Sequence, residues 1–361
     1  MKGYKRFLPV WLFYICHSIC VLALIGCDSL GTSSQQKQST VIDEVVIVEP
    51  NQSIIEYGQQ CANLVAEVPA FDCNDGVDVP ITVNGKIPQY QEYTQNMVCD
   101  RPALLPYGKG TFGQCTPYSK VLDLSNKTTQ ISAFCRRKYL RPDDSPLYDE
   151  VDVILHSTTT GDTCWFHAES PSGTSAGFDA SRVPPPNEVS PPPGHVDAMT
   201  FWWKPLDTVS KNCGACHDAD PFMYSPYIGQ VWQHVPVDPF GPYNNAIGDF
   251  ALWPTSSSIE TEGNTCTTCH RIGNLGSCVN VDLETGQTFP GNIQVASGMA
   301  LPVKGGDQLA NQYPLSTWMP INNFHSQAFW QQVYSPSVSA LLSCCDNPQQ
   351  LQCQLTPITG S

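Results

Sequence analysis

Apolar residues run together at the start of this chain, alternate with polar ones through the middle and scatter towards the end. Phe7 to Ile25 is an almost unbroken apolar run behind Lys2, Lys5 and Arg6, the arrangement of an export leader that is not part of the fold. Residues 28 to about 40 are polar and low in complexity, which predicts a flexible tether. Val41 to Val48 is β-branched and predicts a strand. From about Ile54 to Asp179 the signals are β-like. Val77 to Val83 leads into Asn84-Gly85, a tight-turn pair. Val151 to Leu155 and Thr163 to Phe166 flank Thr158 to Asp162, which predicts a hairpin with a longer loop. Pro184-Pro185-Pro186 and Pro191-Pro192-Pro193 predict a stiff connector. Near the end, a helical stretch runs from about Phe324 to Tyr334. A second helix is expected from Pro336, with Ser335 as its cap and Pro336 in the first position.

These segments divide the 361 residues into a leader (1–26), a tether (27–53), a β-rich domain (54–180), a Pro-rich linker (181–197) and a second domain (198–361). The expected class is α+β, with a mainly α or irregular second domain. An apolar fraction of 41% is enough for real cores, while 31 Pro and 26 Gly against 14% charged residues predict many turns and short regular elements. His156 and His167, with nearby Ser and Asp residues, supply a Ser/His/Asp set on paper. Chance provides such a set in any chain of this size.

The apolar run ends in Leu24-Ile25-Gly26-Cys27, which resembles the lipobox of bacterial lipoproteins. The resemblance implies cleavage before Cys27 and a lipid on that cysteine. The alternative is a plain membrane-spanning anchor, because the run approaches the ~20 residues that span a bilayer. Either way the remainder is exported and tethered, facing the periplasm or the cell surface. The leader holds three of the 18 basic residues and none of the 33 acidic ones, so the remainder has a formal charge of −18. That disfavours nucleic acid or an anionic membrane face as partner and suits proteins with basic docking patches.

Cysteine usage agrees with export. Of 17 cysteines, Cys16 and Cys20 lie in the leader and Cys27 is the lipid site. Cys61, Cys73, Cys99, Cys115, Cys135 and Cys164 fall in the β-rich region, and Cys278, Cys344, Cys345 and Cys353 near the end. Both sets are even, so each can close within its own region as disulfides. Cys344 is not expected to pair with Cys345, because a vicinal bridge strains the backbone.

The last four cysteines fall into Cys213-Gly214-Ala215-Cys216-His217 and Cys266-Thr267-Thr268-Cys269-His270. Each reads Cys-x-x-Cys-His, the pattern that attaches haem c. The resemblance is to c-type cytochromes: firm over these ten residues, loose over 198–361. It implies two covalently bound haems, with thioethers from Cys213, Cys216, Cys266 and Cys269 and with His217 and His270 as iron ligands. Structural zinc on four thiolates is the competitor. Immediate His after both pairs, in a chain with only eight His, favours haem.

The group facing each iron would set the chemistry: Met raises the potential, a second His lowers it, and an open position admits substrates. Met319, before Pro320, is the expected partner of the second haem, with Met299 and His325 in reserve. For the first haem His234 is the first choice. His195 and Met199 lie just upstream, and Met223 is too near His217 to wrap round easily. Taken together, the chain is expected to be a membrane-tethered dihaem cytochrome that transfers single electrons to or from a redox partner. The alternatives are a peroxidase-like haem enzyme with the first haem open, and a non-redox surface lipoprotein with structural cysteines.

Overall fold

The computed structural model describes residues 51–103, 113–171, 174–259, 261, 263–273, 278–281, 288–290 and 326–358. The leader, the lipobox cysteine and the expected strand at 41–48 lie outside these residues. Among the described residues no helix is long and apolar enough to cross a membrane.

The chain enters through helix α1, Ile54–Leu64, in a region whose pattern reads as β. The start signal is nonetheless local. Ser53 accepts from the Glu56 backbone N–H, and the Glu56 carboxylate accepts from the Ser53 N–H, a reciprocal capping box. Ile54, Tyr57, Gly58 and Cys61 form its buried stripe.

A five-stranded antiparallel sheet follows, built from β1 (Val77–Asp78), β2 (Lys120–Asp123), β3 (Thr129–Arg136), β5 (Glu150–Ser157) and β6 (Thr163–Glu169), in the order β1-β2-β3-β5-β6. Two-residue β4 (Leu147–Tyr148) pairs separately with β7 (Phe178–Asp179). The hairpin expected around 158–162 is β5–β6. The strand expected over 77–83 is shorter, with only Val77 and Asp78 on the ladder, and Pro80 just beyond has no N–H to donate. Asn84 and Gly85 take φ of 51° and 74°, both left-handed as a two-residue turn requires, and Val83 bridges Lys86 across it.

Strand alternation gives the sheet two unlike faces. The first carries Ile131, Ala133 and Cys135, then Val151, Val153 and Leu155, then Cys164, Phe166 and Ala168, all buried. Disulfides fasten the chain to it: Cys61–Cys164 ties down α1 and Cys73–Cys135 the turn before β1. The second face carries Phe134, Arg136, Glu150, Asp152, Ile154, His156, Trp165, His167 and Glu169 in matching register.

Residues 198–259 pack on both faces of the sheet. Phe222, Tyr227, Val231 and Val235 join Val79, Ile81 and Val121 in one core cluster, while Ala198, Trp202, Tyr243, Phe250 and Trp253 join the cluster under α1. The connector at 181–197 therefore does not separate two cores. It is docked: Val183 bridges Phe71, and the Pro184 carbonyl accepts from Trp202 Nε1 at 2.9 Å. Two short helices, α2 (Ala198–Phe201) and α3 (Pro205–Ser210), lead to the first Cys-x-x-Cys-His.

Past it, β8 (Ser257–Ile259) pairs with the last strand, β11 (Leu355–Pro357), and β9 (Val279–Val281) with β10 (Thr288–Pro290). A single helix, α4 (Gln327–Asp346), replaces the two expected, with Pro336 inside it. Pro336 strips a partner from the Gln332 carbonyl. Gln332 is exposed, so its carbonyl is open to solvent and the helix continues. The remaining disulfides are Cys99–Cys115, Cys278–Cys345 and Cys344–Cys353. The regional pairing is as the cysteine counts predicted, and Cys344 and Cys345 do not pair with each other.

Candidate functional site

Among the described residues, Cys213, Cys216, Cys266 and Cys269 alone are cysteines outside a disulfide. Cys213–Ala215 forms one 3-10 turn after Asn212 in the left-handed region. Gly214 lies flat against the Trp253 indole, where a Cβ would come within 2.7 Å of the ring. The His217 ring meets Trp165 edge-on at 5.0 Å between centroids, and Trp253 packs on Trp165 at 5.5 Å. The wholly buried Tyr243 donates its hydroxyl to the His217 carbonyl. Trp165, buried to 5% exposure, has an indole N–H without a protein partner.

The second motif hangs from α4. Asn264 Nδ2 donates to the Ser337 carbonyl at 2.9 Å, and the Thr265 N–H to Ser337 Oγ at 3.0 Å. Asn264 Oδ1 takes the Cys266 N–H at 2.9 Å. Beneath these bonds is a small cluster of Ile259, Leu341, Cys344 and Cys353. The two motifs meet: Asp218, next to His217, lies against Gly273, three residues past His270, so closely that a Cβ on Gly273 would overlap its carboxylate.

Both motif histidines present the same nitrogen. His217 Nδ1 lies 2.9 Å from the Pro221 carbonyl oxygen and His270 Nδ1 2.8 Å from that of Arg271. A carbonyl only accepts, so Nδ1 carries the proton in each and Nε2 keeps a lone pair for a metal. Burial pushes the His217 imidazole down to about 4, leaving it neutral at ordinary pH. Burial also raises the Cys213 thiol, with the Asp152 and Glu150 charges adding to it, and lifts Cys266 to about 11. These are protonated thiols, not the depressed-pKa thiolates of a cysteine nucleophile.

Below Cys213 the second face of the sheet is a buried charge network. Glu150 accepts from Arg136 at 3.3 Å and Lys138 at 2.5 Å. Glu169 takes Lys138 and, at 2.8 Å, Lys211. His167 Nδ1 meets Asp152 Oδ1 at 2.7 Å, with Trp203 edge-on at 4.7 Å. Burial opposes charge on His167, but the Asp152 carboxylate and its hydrogen bond win and raise the imidazole to about 9. Burial, then the Glu150 charge, raises Asp152 to about 6. Burial also opposes charge on Glu150, yet Lys138 and Arg136 hold it well below the usual carboxylate range.

Glu150, Asp152 and His167 make up the one group among the described residues whose ligand atoms converge closely enough for one ion. Their charges are already matched by Arg136, Lys138 and Lys211, and His167 holds a proton, so a further cation gains little there. Among the described residues the four motif thiols form no such group.

Of the remaining expected ligands, His234 ends the 3-10 stretch Ile228–His234 and is half-buried. His195 is exposed and Met199 is 66% exposed. Met223 is half-buried. Met299, Met319 and His325 lie outside the described residues, as does Cys27.

Trp165, Trp253 and Tyr243, the side chains around the first motif, carry no motif that marks them in the sequence. The only signal for them is the aromatic content of strand β6 and of the loop before β8. No family model, curated protein or solved structure matches this chain.

Proposed function

We propose that this protein is an exported, membrane-tethered dihaem c-type cytochrome carrying single electrons, with a cytochrome c-like region within 198–361 and a lipid anchor at Cys27. One observation carries this reading. At each motif two cysteines stay outside a set of five disulfides, beside an imidazole whose Nδ1 faces a backbone carbonyl and whose Nε2 is left for a ligand. A porphyrin takes two thioethers at its rim and a histidine at its iron, which is what the Cys-x-x-Cys-His order offers at both motifs.

Cys213, Cys216 and His217 would hold one haem, and Cys266, Cys269 and His270 the other. When bound, each supplies a one-electron Fe(II)/Fe(III) couple. Trp165 packs edge-on against His217 with Trp253 behind it, and the Pro221 carbonyl fixes the His217 ring. The acidic surface favours a partner with basic patches.

The test is intact mass with a pyridine haemochrome count on chain matured in a haem c-competent host. Two haems per chain are expected, with little spectral response to peroxide. A mature chain without added haem mass overturns the reading. Two haems with a strong peroxide response turn it towards an enzyme.

A further inference from the structure

The charge network on the second face of the sheet is tied to the first motif through Lys211, two residues before Cys213. Lys211 Nζ pairs with Glu169 at 2.8 Å and lies over the Trp203 ring at 4.5 Å. Glu169 is 3.5 Å from His167 Nε2, and His167 Nδ1 meets Asp152 on the neighbouring strand at 2.7 Å. The field of this network reaches the Cys213 sulfur: after burial, the Asp152 and Glu150 charges are what hold that thiol protonated.

The charges facing the Asp152–His167 pair are Glu150 on β5, Glu169 on β6, Arg136 and Lys138 at and just beyond the end of β3, and Lys211 from the chain above. Against the cost of burial, Lys138 and Arg136 keep Glu150 ionised, and His167 and Lys138 keep Glu169 so. Asp152 is raised to about 6 and His167 to about 9, so the pair changes its proton count on either side of neutral pH. Solvent reaches it. The Asp152 side chain is 31% exposed, while those of Arg136, Lys138, Glu150, His167, Glu169 and Lys211 lie between 2% and 11%. Lys211 and Trp203 also line an open pocket of about 410 Å³.

Positive charge at an iron above Cys213 and a proton on this pair repel, and each weakens the other by the same free energy. Resting on the haem reading above, we infer that the Asp152–His167 pair is a proton site coupled to the first haem, taking up a proton from solvent when that iron is reduced. One electron from the redox partner turns Fe(III) to Fe(II), and a proton from water joins Asp152 or His167 to offset the charge. The pair binds fewer protons beside ferric iron, so rising pH favours the ferric state and lowers the midpoint potential.

The experiment is a redox titration of the full-length haem-loaded protein at a series of pH values, after its haems have been counted by mass. One midpoint potential should fall in two steps, near pH 6 and near pH 9. The slope approaches about 59 mV per pH unit where one proton follows one electron. Asp152→Asn and His167→Gln should each leave one step in place of two. The His167 step moves down in pH when the Asp152 charge is lost, and the Asp152 step moves up when the His167 charge is lost. A merely structural role would not give shifts of opposite sign. Asp152→Glu should keep both steps. If the variants do not fold, wild-type protein reduced in weakly buffered solution with a pH indicator decides the matter by its proton uptake in the same two windows. Potentials level with pH, no proton uptake, or two steps surviving both substitutions overturn the coupling alone. A wild-type chain without haem overturns the cytochrome reading itself, before any potential is read.

Discussion

The Cys213–His217 motif rests on the second face of a five-stranded sheet, with Trp165, Trp253 and Tyr243 around it. Cys266–His270 hangs instead from one helix by the bonds of Asn264 and Thr265 to Ser337. The first is held by aromatic area in a large core. The second has four buried residues beneath it, two of them the Cys344–Cys353 bridge. The same five residues thus tolerate two kinds of support, and covalent links stand in where apolar area is scarce.

The largest expected effect comes from the staples. Cys61–Cys164 spans 103 residues and Cys344–Cys353 spans 9. By the loop-entropy argument the first is worth about 4–5 kcal/mol and the second under about 3 kcal/mol. Replacing Cys61 and Cys164 with Ala should therefore lower the denaturant midpoint more than replacing Cys344 and Cys353. Equal losses would mean that the sheet does not depend on α1 as described.

A smaller effect tests the aromatic grip on the first motif. Gly214→Ala drives a methyl into Trp253 and should cost about 1–3 kcal/mol as overpacking and, on the proposed haem reading, lower loading at the first motif alone. Ser337→Ala removes the two bonds from Thr265, at about 1 kcal/mol each, and should weaken the second motif only. Loss at both motifs from either substitution would break the contrast.

The gentlest test is pH. The His167 imidazole is raised from 6.5 to about 9 in the folded chain, so its stabilisation is complete below about pH 6.5. It is lost as pH climbs through about 9. Urea midpoints followed by tryptophan fluorescence should fall across that window in the wild type and stay level in His167→Gln. A level wild-type profile would mean that the Asp152–His167 pair does not hold the sheet face under the first motif.

Much of this was legible because it is local. The α+β class, the β5–β6 hairpin, the Asn84-Gly85 turn and the regional pairing of ten cysteines follow from alternation, turn chemistry and parity. The capping box at Ser53 and Glu56 was equally local, but strand-like neighbours masked it. Pro336 looked like a helix start because the pattern does not show that Gln332 faces water.

The chain by itself determined the residues we propose for haem attachment: two Cys-x-x-Cys-His motifs, each with its thiols and imidazole in fixed order. The tertiary structure alone decided that Trp165 packs on His217 and that a charge network underlies Cys213. Those contacts join residues tens of positions apart across strands. Packing selects them because each buried donor, acceptor and ring must find its complement in space, and sequence spacing does not encode that complement.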